Sequence, residues 1–191
     1  MMNRSAVQEA VDAGSGVLRL EPAWVPRTFM LPGRRLRLHP DDLYALGGHR
    51  GGINERWFSS TTNADNGPGT PPDEGLSYVR LDGRRFQLKE AVEAAGDLLL
   101  GPAVMQREGG WNILCKFFDN MGPIPHHMHQ SEEQARLVGR RGKPEAYYFP
   151  PQYNQSFNNF PYTFMGLEPK RAREVQDPVV SNGGAAATTG S

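Results

Sequence analysis

The chain has little cysteine, no excess charge and no long apolar run. Its 191 residues include one cysteine, Cys115, so no disulfide can form within the chain and a reducing compartment is expected. Twenty-one basic and 21 acidic residues cancel, which removes the long-range field that attracts nucleic acid or anionic lipid. No apolar run approaches the roughly 20 residues of a membrane-spanning helix, and the N-terminus lacks a secretory pattern. We therefore expect a soluble, cytoplasmic protein that binds neither nucleic acid nor membrane, with an oligomeric state that the sequence leaves open.

Glycine and proline are abundant instead, with 22 and 16 residues, and they predict many turns. Helices are predicted at 6–13, at 40–46, at 89–100, where apolar residues recur at helical spacing, and at 132–137, where Ser131 is the expected cap. Alternation and β-branched or aromatic content predict strands at 17–22, 53–62, 76–81, 112–119, 126–129, 145–149 and 160–165. The apolar run at 112–119 is typical of a buried central strand. We expect a mainly β fold with a few helices: a lead-in at 1–16, one domain at 17–169 and a disordered tail at 170–191.

Three of the five histidines fall within four residues, at His126, His127 and His129. On an extended segment, a His-x-His pair directs both imidazoles to one face, because strand side chains alternate with period two. His127 and His129 are therefore candidate metal ligands, whereas His126 points to the opposite face. Two neutral imidazoles and a carboxylate suit a first-row divalent metal and leave coordination positions open for water or substrate.

Two glutamates compete to supply the carboxylate. Glu133 lies in the first turn of a predicted helix, where an exposed acid favours the helix dipole without contacting any metal. Glu145 lies on a predicted strand and shares a face with Tyr147, so it can face the same cavity as the histidines. We favour Glu145 and keep Glu133 as the alternative.

Short motifs follow one another in a characteristic order between Val17 and Pro169. They are Arg19-Leu20-Glu21-Pro22 with Pro32-Gly33-Arg34-Arg35-Leu36, Ile53-Asn54-Glu55-Arg56-Trp57, Leu114-Cys115-Lys116-Phe117-Phe118-Asp119, His127-Met128-His129 and Lys143-Pro144-Glu145. In order and spacing they resemble five motifs of the class I mannose-6-phosphate isomerases, zinc enzymes of the cupin superfamily. These are the opening strand with its basic turn, the Gly-Glu-x-Trp strand, the Val-Lys-Leu-Leu-Asp strand, the Gln-x-His-Pro ligand motif and the Lys-Pro/Thr-Glu motif.

The resemblance implies a cupin-like jelly-roll barrel and a metal site. By position, His127 stands where the family has a glutamine ligand, and His129 and Glu145 match the next two ligands of Zn²⁺, which another divalent metal could replace. The spacing from Gly122 through the histidines to Gly139 also approximates the first cupin motif, which would nominate Glu133 instead.

The resemblance also implies an activity, the interconversion of mannose 6-phosphate and fructose 6-phosphate by a metal-dependent aldose–ketose isomerase. Lys116 and Lys143 match lysines that face the phosphorylated hexose, and Lys143 is the candidate catalytic group. Glu55 and Trp57 are expected to line the substrate pocket.

Two family features are missing from the sequence. The family completes its metal site with a further histidine far downstream, and this chain has no histidine after His129. The late barrel strands are also expected to be missing beyond about Pro169, which would leave an incomplete, N-terminal portion of the barrel with open edges. Two alternatives therefore stay open: a truncated, inactive sugar- or metal-binding cupin fragment, and an iron cupin oxygenase, for which two histidines and a carboxylate suffice.

Overall fold

The computed structural model describes residues 3–122, 124–125, 127–150, 169–170 and 173. The chain divides into two compact units, Met1–Tyr153 and Asn154–Ser191. Of the second unit, the structure describes Pro169, Lys170 and Arg173. His126, the predicted strand at 160–165 and nearly all of the predicted tail at 170–191 therefore lie outside the described residues.

The first unit is a mixed α/β structure in which the strands of both described sheets pair antiparallel. In chain order, its elements are α1 (Arg4–Ala13), β1 (Ala23–Arg27), β2 (Gly52–Phe58), β3 (Tyr78–Leu81), β4 (Arg84–Gln87), α2 (Leu88–Leu100), α3 (Pro102–Glu108), β5 (Cys115–Phe118) and α4 (Glu132–Arg136), with 3-10 turns at Pro40–Asp42 and Gly48–Arg50. One sheet has the order β1-β2-β5 and the other is the hairpin β3-β4. None of the helices in the described residues is both long and apolar enough to cross a membrane.

One hydrophobic core lies between α1, α2 and the β3-β4 hairpin. Val7 and Ala10 of α1 pack there with Val79 of β3 and with the apolar face of α2. Asp82 and Gly83 adopt positive φ values of 45° and 78°, as the tight turn of a two-residue hairpin requires. The predicted helix at 89–100 is confirmed as α2.

One face of the three-stranded sheet carries part of the candidate site. In the β2-β5 ladder, Trp57 pairs with Lys116 and Glu55 pairs with Phe118. Side chains two residues apart on a strand share a face, and directly paired residues do so too. Glu55, Trp57, Lys116 and Phe118 therefore all project from the same face of the sheet.

The loop after β1 is fixed by Asp119, the residue that follows β5. Its carboxylate accepts a hydrogen bond from Leu36 N at 2.8 Å, and its carbonyl accepts one from Gly33 N at 2.8 Å. A Cβ on Gly33 would lie 1.9 Å from Asp119 Oδ1, so a side chain there would displace this carboxylate. The loop, which includes Phe29, is thereby held beside the site face.

The predicted strand at 17–22 is wrong. Leu18 and Leu20 pack against the core formed by α1, α2 and the β3-β4 hairpin. Leu20 forms only an isolated bridge with Val79. Pro22 has no N–H to donate to a ladder. The strand instead begins at Ala23, and it accommodates Pro26 at a register shift after Val25.

A strand does form within the segment predicted at 112–119, but the prediction that it is central and buried is wrong. β5 covers only Cys115–Phe118 and lies at the edge of the described sheet. Its side chains alternate, so Cys115 and Phe117 face outward, with Phe117 52% exposed, while Lys116 and Phe118 face the site.

The strands predicted at 126–129 and 145–149 are not formed by the described residues of these segments. Prolines flank both of them, at 123 and 125 and at 144 and 150, and each removes a backbone donor that a ladder would need. The helix predicted after Ser131 is confirmed: Ser131 caps α4 by accepting a hydrogen bond from Gln134 N.

We expect Val79→Ala to lower the free energy of unfolding by about 2 kcal/mol, because two buried methyl groups are lost and a cavity remains. Val79 is 1% exposed, whereas Val17, which is 64% exposed, supplies the matched control. Urea denaturation would measure both variants. Similar losses in Val79→Ala and Val17→Ala would contradict the assignment of the core.

Candidate metal centre and adjoining pocket

His127, His129 and Glu145 converge on one point of the structure. Each offers a ligand atom, and these atoms all lie within 4.8 Å of one another. His129 Nε2 lies 3.2 Å from Glu145 Oε2, close to the roughly 3.3 Å between neighbouring ligands of a tetrahedral ion with bonds of about 2.0 Å. Glu145 is therefore the glutamate brought to the histidines, and Glu133 is not part of this group.

The orientation of His127 suits it to bind a metal through Nε2. Its Nδ1 lies 2.9 Å from the carbonyl oxygen of Pro125. A carbonyl can only accept, so in this contact Nδ1 carries the hydrogen and, in the neutral ring, Nε2 keeps its lone pair. A hydrogen bond of this kind commonly fixes the tautomer and orientation of a ligating histidine.

Glu145 is surrounded by hydrogen-bond donors. Lys143 Nζ lies 3.0 Å from Glu145 Oε1, and the Tyr147 hydroxyl donates to Oε2 at 3.4 Å. Burial would raise the pKa of Glu145, but the hydrogen bond and charge of Lys143, with the charges of His129 and Lys116, hold that pKa below its ordinary value. The carboxylate is thus ionised at neutral pH, as a metal ligand must be.

Glu55 is the centre of a buried cluster on the neighbouring sheet. At 1% exposure, it accepts hydrogen bonds from Arg27 Nε at 2.7 Å, Trp57 Nε1 at 2.6 Å and Lys116 Nζ at 3.1 Å. Burial would raise the pKa of Glu55, but the Arg27 hydrogen bond and the charges of Lys116 and Arg27 outweigh it and lower the pKa. Both carboxylate oxygens already accept hydrogen bonds from these residues, so the role of Glu55 is to hold Arg27, Trp57 and Lys116 in position.

Lys116 keeps part of its hydrogen-bonding capacity for a ligand. An ammonium has three donors, and the Glu55 contact uses one of them. The ammonium lies 4.9 Å from the centre of the Phe118 ring and 5.8 Å from that of Trp57, and its side chain is 25% exposed. Arg27 has less hydrogen-bonding capacity left for a ligand than Lys116, because its Nη1 also donates to Asp65 O at 3.2 Å.

A cavity of about 350 Å³ joins the sheet cluster to the metal group. This volume lies at the lower end of the roughly 300–1,000 Å³ typical of small-molecule sites. The charged and imidazole side chains that line it are Arg27, Glu55, Lys116, Lys143, Glu145 and His127, and the aromatic ones are Phe29, Phe118 and Tyr147.

The structure thus brings most of the predicted site residues to one cavity. Two predicted residues do not line it: His129, which contacts Glu145, and Trp57, whose indole N–H donates to Glu55. Arg27, Phe29 and Tyr147 are additions to the predicted set. The position of Phe118 follows from that of Lys116 two residues earlier, whereas no pattern in the sequence marks Arg27 as a partner of Glu55.

No protein-family model, curated protein or solved structure matches this chain. The resemblance to class I mannose-6-phosphate isomerases therefore stays a prediction from the sequence.

We expect Glu55→Gln to cost about 3 kcal/mol at neutral pH, because it leaves two partly buried cations without their counterion. A lowered pKa in the folded state contributes stability that is present above the ordinary glutamate pKa of about 4.3 and lost as the pH falls through the folded pKa. Urea denaturation between pH 7 and pH 3 should therefore show a shallower loss of stability in Glu55→Gln than in the wild type. Glu133→Gln, on the exposed face of α4, is the control. Parallel curves for wild type and Glu55→Gln would rule out this role for Glu55.

Proposed function

We propose that this chain is a metal-dependent aldose–ketose isomerase that interconverts mannose 6-phosphate and fructose 6-phosphate. The observation that carries the proposal is a cavity lined by His127, Glu145, Lys116 and Lys143, with His129 completing the ligand group 3.2 Å from Glu145. The three-stranded antiparallel sheet supports, as part of this proposal, a cupin-like barrel in which the site lies on the inner face.

The donor set fits a divalent metal. His127 and His129 would bind it through imidazole nitrogen and Glu145 through Oε2, since Oε1 is held by Lys143. Zinc is the favoured ion, because two nitrogens and one oxygen with open positions are typical of its catalytic sites. The bound ion would supply a Lewis acid for the oxyanion that develops during isomerisation.

The charge of the cavity favours an anionic sugar. Arg27, Lys116 and Lys143 outnumber the carboxylates Glu55 and Glu145, and a divalent ion would add two further positive charges. Because Glu55 already neutralises Arg27, the free donors of Lys116 provide the contact for a phosphate.

Lys143 is the chain's own candidate for the chemical step. Its ammonium lies beside the Glu145 carboxylate and lines the same cavity, so it is placed to stabilise negative charge on an enediolate. Lys143 in its neutral form and a water at the metal site are both candidates to carry the proton between C1 and C2.

An iron-dependent oxygenase is the second candidate, because two histidines and one carboxylate also fit ferrous iron. The two lysines at the cavity favour the isomerase, since a phosphate ester requires cationic contacts and oxygen activation does not. Mannose 6-phosphate turnover without oxygen consumption would separate the two.

We expect His129→Ala to weaken zinc binding by at least tenfold, because one of three ligands is lost. Calorimetric titration of the metal-free protein with zinc would measure the effect. His49→Ala is the control, since His49 is exposed and lies outside the ligand group. Equal zinc affinities in the two variants would remove the metal centre from the proposal.

We expect zinc-loaded wild-type protein to convert fructose 6-phosphate to mannose 6-phosphate in a coupled assay, and Lys116→Met to raise KM about tenfold or more. The reason is the loss of a charge-assisted contact to phosphate. Lys89→Met, on the exposed side of α2, is the matched control. Absence of turnover in the zinc-loaded wild type, or an unchanged KM in Lys116→Met, would contradict the proposal.

A further inference from the structure

The segment that joins His129 to Glu145 has little hydrophobic support. Among the described residues 127–149, Ala135 is the only buried residue, and nearly all the others are exposed. Apolar packing therefore cannot account for the return of the chain from α4 to the histidines. Its course must depend on specific polar contacts and close backbone approaches.

One such contact joins the start of α4 to the residue before Lys143. Gly142 N donates to Glu132 Oε2 at 2.6 Å, and Arg136 Nε donates to Glu132 Oε1 at 3.2 Å. The Gly142 hydrogen bond is also the main cause of the lowered pKa of Glu132. Glu132 thus fixes the returning backbone against the helix that it begins.

A second, steric observation supports the same contact. A Cβ on Gly142 would lie 2.7 Å from Glu132 N and 2.9 Å from Glu132 Cα. Contacts this short with backbone atoms cannot be relieved by a rotamer change, so the close approach requires glycine at position 142. The returning chain and the helix start are therefore matched in shape as well as in hydrogen bonding.

The contact lies three residues from His129 and three residues from Glu145. Glu132 follows His129 by three residues, and Gly142 precedes Glu145 by three residues. The hydrogen bond between them therefore sets where Glu145 returns relative to His129, whose Nε2 it approaches to 3.2 Å.

We propose that Glu132 is a positioning residue of the metal centre, acting through its hydrogen bond to Gly142 to bring Glu145 to the histidines. This inference rests on the proposed metal site and adds to it a residue that touches no metal. Outer contacts of this kind commonly change metal affinity by about 10- to 100-fold.

Zinc titration of full-length variants tests the proposal. Glu132→Ala should bind zinc about tenfold more weakly than the wild type, whereas Glu133→Ala should stay within about twofold. The two residues are neighbours in the first turn of α4, so both variants lose a similar helix-dipole interaction. Glu132→Gln keeps an oxygen acceptor for Gly142 N and should restore most of the affinity.

Gly142→Ala provides a separate route to the same contact. It should weaken zinc binding to a similar degree, and combining it with Glu132→Ala should add little, because both changes break one contact. Additive losses in the double variant would show that the two residues act independently and would overturn the proposal.

Trypsin digestion of the metal-free protein tests the contact without any metal. Cleavage after Arg140 and Arg141, followed by mass spectrometry, should be faster in Glu132→Ala than in Glu133→Ala, because the returning chain is released. Cleavage at equal rates would overturn the proposal.

The outcomes also separate this inference from the metal centre itself. A wild-type protein that binds no zinc would overturn both. A wild type that binds zinc, with Glu132→Ala and Glu133→Ala indistinguishable from it, would overturn only the role of Glu132.

Discussion

The arrangement of the site depends on the compensation of one buried carboxylate. Glu55 is 1% exposed, and a charge removed from water to that extent requires cations and hydrogen-bond donors. These come from all three strands of the sheet: Arg27 ends β1, Trp57 lies on β2 with Glu55, and Lys116 lies on β5. The requirement to satisfy Glu55 therefore ties the strands together and fixes the position of Lys116 at the cavity.

The residue before Glu55 organises the opposite side of β2. Asn54 is fully buried. Its side-chain amide donates to the carbonyl of Leu31 at 3.1 Å, and its backbone carbonyl accepts a hydrogen bond from Asp119 N at 2.8 Å. A glycine, which the resembled motif has here, could not make the side-chain contact. Two consecutive residues on opposite faces of β2 thus position residues that line the cavity. Glu55 holds Arg27 and Lys116 through charge, and Asn54 holds the loop that carries Phe29.

Sequence reasoning succeeded where the pattern is local. Apolar periodicity identified α2. His127, His129 and Glu145 do lie close together, although not on the strands expected to carry them, and their role as ligands stays a prediction. Sequence reasoning was wrong about the strands at 126–129 and 145–149, where prolines outweigh strand propensity, and Arg27 could not be found at all. Arg27 meets Glu55 across the β1-β2 pair, and periodicity within one strand does not specify which residues of a second strand will lie beside it.

The two halves of the site differ in the interactions that fix them in place. This difference bears on the order in which metal and substrate would bind. The sheet half is fixed by buried charges before any ligand arrives, whereas the half with His127, His129 and Glu145 lies on an exposed segment with few packing contacts. Under the proposed function, a metal would further restrain that segment, so part of its binding free energy would offset lost conformational freedom. A sugar phosphate that contacts both Lys116 and the metal would then meet a fully restrained site only after the metal is bound. Metal binding should therefore precede substrate binding, since the reverse order leaves the cost of restraining the segment to the substrate alone.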